Sequence, residues 1–408
     1  CRSVLSTSSI TTPSPSCSPA RPASPTPSSV SVLAMAARGG AGRAGSKLDG
    51  AAPDSTDMAN YFITYSYLYH QKDMLEDHKR TGAYYNACIQ NMAQFKDKVV
   101  LDVGTGSGIL AIFAARAGAR KVYAVEATDM AKHARRLVAA QGLAGTVEVI
   151  QGVIESVELP EQVDIIISEW MGYFLLRESM LDSVLVARNK FLKPGGALYP
   201  SHARMFLAPI TTNQTQRRQA ELEAAVDGWS DFVREVKQYY DVDMSCLTEA
   251  YQEEQADYFS RTAAWADVHP SQALGPPACL KSYDLLMLTL EELKADLQAT
   301  FKLRLLQPGP VEALAGYFDV QFRGSPENPA DSPVTLTTAP DPTGATHWGQ
   351  QVFFMHPGIQ ADEGTTIEGS LSMSRRSDNH RLMDVVVKHK VITGLREGQE
   401  RTDLFHIE

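Results

Sequence analysis

From about Asp57 to Tyr199 the chain alternates short unbroken apolar runs with stretches whose apolar residues recur every three or four positions. KVVLDVG (98–104) is such a run, ending in an acid and a glycine as a buried parallel strand does. SGILAIFAARAGA (107–119) has helical spacing and a stop at Gly118. KVYAVEA (121–127), TVEVIQG (146–152) and QVDIIISEW (162–170) predict three further strands, and ATDMAKHARRLVAAQG (127–142) a second helix. This βαβαβ order predicts an α/β, doubly wound Rossmann-like sheet, whose ligand crevice lies beyond the carboxyl ends of its strands.

After Tyr199 and Pro200 the period changes. GYFDVQF (316–322), PVTLTTA (333–339), QQVFFM (350–355), TTIEGSLSMS (365–374) and LMDVVVKHKV (382–391) are strand-like runs separated by Gly, Pro and Asp. Between the two regions, residues from about Thr211 to Tyr240 read helical, with Leu222, Val226, Trp229, Val233, Val236 and Tyr240 on one stripe. Such a stripe needs a partner, either its own body or a second subunit.

The first 56 residues are a different material, rich in Ser, Pro and Ala. A segment of this kind cannot bury enough apolar surface to offset chain entropy, so it is predicted disordered. Arg2, Arg21, Arg38, Arg43 and Lys47 in an acid-poor setting also resemble an organelle transit peptide. The whole chain of 408 residues is 44% hydrophobic and 21% charged, enough for two domains with separate cores. A net charge of -10 and a pI near 5.5 disfavour nucleic acid and suit basic polypeptides. The five cysteines have no zinc-ligand spacing and no dense disulfide pattern, which fits a reducing compartment. No apolar run approaches the roughly 18 residues of a transmembrane helix, so no membrane partner is expected.

The candidate chemistry begins in VLDVGTGSG (100–108). Gly104, Gly106 and Gly108 let the backbone turn tightly between strand and helix and come close to a ligand, and Asp102 and Thr105 share that turn. A dinucleotide fingerprint needs its third glycine at position 109, where Ile109 stands. Glu126 ends the second strand, 22 residues after Gly104, where an acid can accept hydrogen bonds from both hydroxyls of a ribose. Together these features suggest S-adenosyl-L-methionine, a nucleoside without a pyrophosphate, with S-adenosyl-L-homocysteine as its product. The alternative is a plain tight turn beside a solvated glutamate.

A second oddity is SEWMGYFLLRESM (168–180), where Glu169 and Glu178 sit among aromatic, aliphatic and sulfur side chains. Carboxylates in so apolar a setting need a cationic partner, and two converging on one pocket would hold a planar guanidinium.

With these blocks, YFITYSYLYHQKDMLEDHKR (61–80) and THW (346–348), the chain resembles the protein arginine N-methyltransferase family over residues 57 to 408. The Tyr-Leu-Tyr-His wording of the first block and the long insertion before YYDVDM (239–244) are most similar to a plant branch of it. The resemblance implies a disordered tail (1–56), a cofactor-binding methyltransferase domain (57–199) and a β-barrel substrate domain (200–408). A helical dimerisation arm at about 211–246 would join two subunits head to tail as a homodimer.

By the same resemblance Glu169 and Glu178 clamp the substrate arginine. Arg80 pairs with the cofactor carboxylate and with Glu169, Ile154 and Glu155 meet the adenine, and Tyr61 closes over the cofactor. Met74 and Met180 crowd the site and limit the product to monomethyl and asymmetric dimethylarginine, the type I outcome; Tyr65 and Trp348 shape the groove. His347 bonds Asp77, and either relays the substrate's proton or merely ties barrel to cofactor domain. One departure stands out: the family's usual histidine falls on Gln71, which can still donate to a carboxylate. Expected substrates are histone tails and Arg/Gly-rich proteins, and the expected location is cytoplasm and nucleus. A small-molecule methyltransferase and a scaffold without turnover remain the alternatives. The second glutamate and the THW block speak against the first, and the intact charged set against the second.

Overall fold

The computed structural model describes residues 61–408. The expected disordered tail and residues 57–60 lie outside that range.

Residues 61–65 are helical, and two further helices follow, α1 (Leu68–Glu76) and α2 (His78–Ile89). The alternating region then folds as β1 (Val99–Val103), α3 (Ile109–Arg116), β2 (Lys121–Glu126), α4 (Met130–Ala140), β3 (Val147–Gln151), β4 (Val163–Ile167), α5 (Leu181–Phe191) and β5 (Leu192–Tyr199). The five strands pair in parallel in the order β3-β2-β1-β4-β5. Every residue of β1 is buried, as a central strand covered on both faces requires. The chain starts in the middle, winds outward through β2 and β3, and crosses back to β4. The carboxyl ends of β1 and β4 therefore diverge into the crevice where this fold class binds its ligand.

The strand β5 was not legible in the sequence, because Pro194, Gly195 and Gly196 read as a turn. The structure absorbs them as an irregularity: Val163 faces Leu192 and Ile165 already faces Ala197, so the intervening residues bulge from the ladder.

The second part begins with β6 (His202–Ile210), and after a helical excursion continues through β7 (Ala264–Ala266), β8 (Ala278–Asp284), β9 (Leu297–Arg304), β10 (Gly309–Gly324), β11 (Pro329–Thr337), β12 (Gln350–Ala361), β13 (Thr366–Arg375), β14 (Met383–Thr393), β15 (Arg396–Glu397) and β16 (Arg401–Ile407). These form two antiparallel sheets, β7-β12-β10-β6-β8 with β11 on β10, and β15-β14-β13-β9 with β16 on β14. Together they make the β-barrel. Its core runs into that of the methyltransferase part: Tyr84 meets Phe322, and Phe174 meets Phe353, edge to face.

The helical excursion is a hairpin rather than the single arm ending near 246 that the sequence suggests. Helix α6 (Gln214–Tyr240) is followed by α7 (Thr248–Arg261), and Trp229 stacks on Tyr251 with ring centroids 4.4 Å apart while donating to Thr248 Oγ1 at 3.0 Å. Even so, neither helix contains a buried residue, and Tyr240 at the end of the predicted stripe is 74% exposed. Arg218 anchors the hairpin's base, donating to the carbonyls of Phe259 and Thr262 and lying 4.8 Å from the centre of the Phe354 ring.

Candidate active site

The glycine turn after β1 has the backbone its sequence demands. Gly104, Gly106 and Gly108 have φ of +71°, +55° and +89°, the left-handed region that other residues avoid. A side chain at Gly106 would run into the Gln71 amide, and one at Gly104 into the Met180 methyl. Glu126, at the end of β2, accepts from Gly106 N at 2.9 Å and from Thr128 N and Oγ1 at 2.8 and 2.7 Å. Ser107 Oγ is buried in the same turn with no partner among the described residues. Asp102, at the base of the turn, accepts from Thr105 Oγ1, and burial drives its carboxyl up to about 7 against that hydrogen bond. A turn with glycine at three alternate positions, a buried strand-end acid and an unused hydroxyl fit a nucleoside, and the glycine spacing is not the one a pyrophosphate requires.

Beside the turn, Gln71 is buried on α1 and accepts from Ser107 N at 3.1 Å. The residue standing at the usual histidine position thus buttresses the glycine turn. Ile154 is buried after β3, whereas Glu155 is exposed and accepts from Ser183 Oγ on α5 at 2.6 Å.

Asp77 caps α2, accepting from Arg80 N at 3.0 Å. The same carboxylate accepts from His347 N at 2.9 Å and pairs with His347 Nδ1 at 2.8 Å, tying the barrel's THW loop to the helix. Burial pushes Asp77 up, but the His347 bond and the backbone N–H groups of Arg80 and His347 outweigh it and bring the carboxyl down to about 2. One turn into the capped helix, Arg80 donates through Nε and Nη2 to Glu169 Oε2 at 3.1 and 2.7 Å, and through Nη1 to the Met74 carbonyl at 3.2 Å. Burial pulls this guanidinium down, but the Glu169 charge prevails and leaves it raised. Glu169 Oε1 accepts from Met171 N at 3.1 Å.

Glu178 is held differently. Its Oε2 accepts from Tyr65 OH at 3.3 Å, its Oε1 from Arg177 Nη1 at 3.0 Å, and its backbone N donates to the Arg381 carbonyl at 2.9 Å. Phe174, Leu175, Glu178 and Ser179 have φ of +47°, +73°, +82° and +59°. Four non-glycine residues in the left-handed region within six positions is strained backbone, of the kind that persists only where surroundings dictate it. The surroundings are visible: Trp348 Nε1 donates to Met171 O at 2.9 Å, Tyr84 OH to Ser168 O at 2.9 Å, and Ser179 Oγ to His380 O at 2.7 Å. Trp348, 3% exposed, serves as a buried brace of the loop.

Burial and the Glu178 carboxylate, then those of Glu169 and Glu126, raise the Tyr61 hydroxyl against the opposing charge of Arg381. Tyr65 is raised by burial, Glu178, Tyr61 and Glu169. Tyr61 OH lies 3.9 Å from Met180 Sδ, the Met180 methyl lies over Gly104, and Tyr65 OH bonds Glu178, which brings the glycine turn and the second glutamate together under residues 61–65. Two residues beside these groups went unread in the sequence: Arg177, which bonds Glu178, and Arg381, whose guanidinium lies 3.7 Å from the centre of the Tyr61 ring.

Comparison with known proteins agrees with this geometry. Residues 100–196 match a methyltransferase domain and residues 201–393 the arginine methyltransferase oligomerization subdomain. Protein arginine N-methyltransferase PRMT10 of Oryza sativa subsp. japonica is 54% identical over 330 residues, 81% of this chain and 87% of the relative. The chain belongs to the protein arginine N-methyltransferase family. The Arabidopsis thaliana PRMT10 is 52% identical over 81% of this chain and 86% of its own length. The crystal structure of Arabidopsis protein arginine methyltransferase 10, in an open conformation, superposes with a TM-score of 0.82 at 49% identity, over 85% of this chain and all of that one. A Trypanosoma brucei PRMT1 enzyme–prozyme heterotetramer with AdoHcy gives 0.70 at 31% identity, over 85% of this chain and all of that one. The reaction of this arginine methyltransferase is therefore methyl transfer from S-adenosyl-L-methionine to arginine in proteins, and its barrel carries the family's oligomerisation subdomain.

Proposed function

We propose that Glu169 and Glu178 clamp the substrate guanidinium and make one of its terminal nitrogens nucleophilic. The observation that carries this reading is the pair of carboxylates, Glu169 fixed by Arg80 and Glu178 bonded by Tyr65, with burial and both charges raising the hydroxyls of Tyr61 and Tyr65. Arginine has a pKa above about 12 and a delocalised charge, so it offers no lone pair in its ground state. Carboxylates along two of its edges concentrate positive charge there and free the remaining nitrogen. An ionised carboxylate has about four acceptor positions, and three on Glu169 are taken by Arg80 and Met171. The free position on Glu169 and those on Glu178 are what a guanidinium would meet.

The cofactor supplies an electrophilic methyl group on a sulfonium. Glu126 would hold its ribose hydroxyls, Arg80 and Gln71 its carboxylate end, and Ile154 and Glu155 its adenine, with Asp102 and Thr105 shaping the turn beneath. Positioning the acceptor within about 3 to 3.5 Å of the methyl carbon is the larger part of catalysis for such an in-line displacement. His347, bonded through Nδ1 to Asp77, would pass on the proton released after transfer or serve only as the tie between barrel and cofactor domain.

The product reading is type I. Met180 fills the space above Gly104 and Met74 lies on the helix behind Arg80, which restricts how a monomethylated arginine can turn for its second methylation. The substrates we infer are Arg/Gly-rich proteins and histone tails, drawn by the net charge of -10. The exposed apolar residues of the hairpin, Phe232 and Tyr240 among them, suit a head-to-tail homodimer acting in cytoplasm and nucleus. Incubating the enzyme with labelled S-adenosyl-L-methionine, an Arg/Gly-rich peptide and histones, then hydrolysing the product, tests the assignment. Monomethyl and asymmetric dimethylarginine are expected; symmetric dimethylarginine would overturn the type I reading.

A further inference from the structure

Arg177 stands immediately before the second clamp glutamate, and its own side chain is a guanidinium. Its Nη1 donates to Glu178 Oε1 at 3.0 Å, with side chains 23% and 17% exposed. The guanidinium carbon lies 5.6 Å from the centre of the Tyr173 ring, a cation–π arrangement that lends the bound position further support. Its buried Nε has no hydrogen-bond partner among the described residues. This side chain therefore makes one charge-assisted bond to the clamp and leaves part of its donor set unused, so the bound position is stable without being saturated. The strained backbone at Glu178 and Ser179 is held by the carbonyls of Arg381 and His380, so the segment that carries Glu178 has anchors other than the Arg177 side chain.

We propose that Arg177 is a tethered competitor of the substrate: it occupies Glu178 when no arginine peptide is bound and must leave that oxygen when one arrives. The inference rests on the clamp reading of Glu169 and Glu178. Being adjacent in the chain, Arg177 presents its guanidinium to Glu178 at a high effective concentration. A substrate arginine then binds only the fraction of molecules in which Glu178 is released, and its apparent affinity falls by that fraction. Arg177 thereby sets a threshold that favours peptides with additional affinity for the surrounding surface over isolated arginines. A neutral residue at 177 removes the threshold and leaves the clamp intact.

The test compares the wild type with Arg177→Leu, Arg177→Gln and Arg177→Lys. It reads kcat and KM for an Arg/Gly-rich peptide, and the affinity of that peptide for enzyme loaded with S-adenosyl-L-homocysteine, by fluorescence anisotropy. The proposal expects KM and the dissociation constant to fall roughly three- to tenfold in the Leu and Gln variants, as release of a part-exposed ion pair allows, with kcat nearly unchanged. The Lys variant, which keeps the charge, should lie close to wild type. Guanidinium ion should inhibit the Leu variant at lower concentration than the wild type. If Arg177 instead holds Glu178 in its working orientation, kcat falls in the Leu and Gln variants and the peptide binds no more tightly, which overturns the proposal. A Glu178→Gln arm separates the two readings: retained turnover there defeats the clamp itself, whereas lost turnover beside an unchanged KM in Arg177→Leu defeats only the competitor. Should Arg177→Leu fold poorly, the Gln variant and the guanidinium inhibition of correctly melting protein decide the matter.

Discussion

Glu169 is a carboxylate that the fold can hold only because Arg80 is beside it, since both side chains are nearly sealed from water. Replacing Arg80 with Ala leaves a buried charge without compensation and costs about 3 to 5 kcal/mol. A lowered urea midpoint together with abolished turnover is the expected result. Arg80→Lys keeps the charge but not the paired Nε and Nη2 donors, so it should fold near normally and still turn over poorly. Asp102 gives a pH signature. Burial raises its folded pKa to about 7, above the ordinary aspartate value near 3.9, so over that interval the folded state holds a proton that the unfolded state has lost. Its destabilising contribution is absent below about 4, grows with rising pH and is complete above about 7. Asp102→Asn should therefore gain stability relative to wild type as the pH rises across that window, read as the difference in melting temperature between pH 4 and 8; a constant difference would contradict it. At this scale the sequence was most legible where chemistry and setting clashed: Glu169 and Glu178 stood out as acids among apolar residues. Arg381 could not be found that way, because it lies about two hundred positions from the loop it supports and only the fold joins them.

Among the elements, strands β1 to β4 and helices α3 and α4 were read directly, because their apolar periods differ so plainly, whereas α5 and β5 were not. Strand β9 shows the limit. LQATFKLR alternates buried and exposed residues without a break, yet Lys302 and Arg304 on its outer face make its composition look like a loop. The hairpin was half legible: α6 announced itself by its stripe, whereas α7, TEAYQEEQADYFSR, is polar enough to pass for linker. Its last turn is held through Arg218, which supplies donors to carbonyls that the helix end leaves unpaired. Arg218→Ala should cost about 1 to 3 kcal/mol locally. Hydrogen exchange over residues 248–262 should accelerate while β1 to β5 keep their protection; unchanged exchange at the helix end would refute the anchoring role.

For the whole molecule, the hairpin carries apolar side chains that its own chain leaves uncovered. Tyr239 and Tyr240 are 71% and 74% exposed, so introducing Asp at both should barely disturb the monomer. The proposed homodimer predicts that sedimentation velocity then shows a smaller species than the wild type, with melting temperature kept and turnover reduced. An unchanged sedimentation coefficient would place the interface elsewhere. The proposed catalytic site draws on both halves: the methyltransferase part carries the glycine turn, Glu126 and the two glutamates, and the barrel carries His347, Trp348 and the loop whose Arg381 carbonyl accepts from Glu178 N. The central claim is that two carboxylates activate one guanidinium, and it is tested most directly by single-turnover methyl transfer to an Arg/Gly-rich peptide in Glu169→Gln and Glu178→Gln. The account predicts that each variant loses at least a hundredfold in rate, on the order of 3 kcal/mol of transition-state stabilisation. Retention of near wild-type rates in both would contradict it.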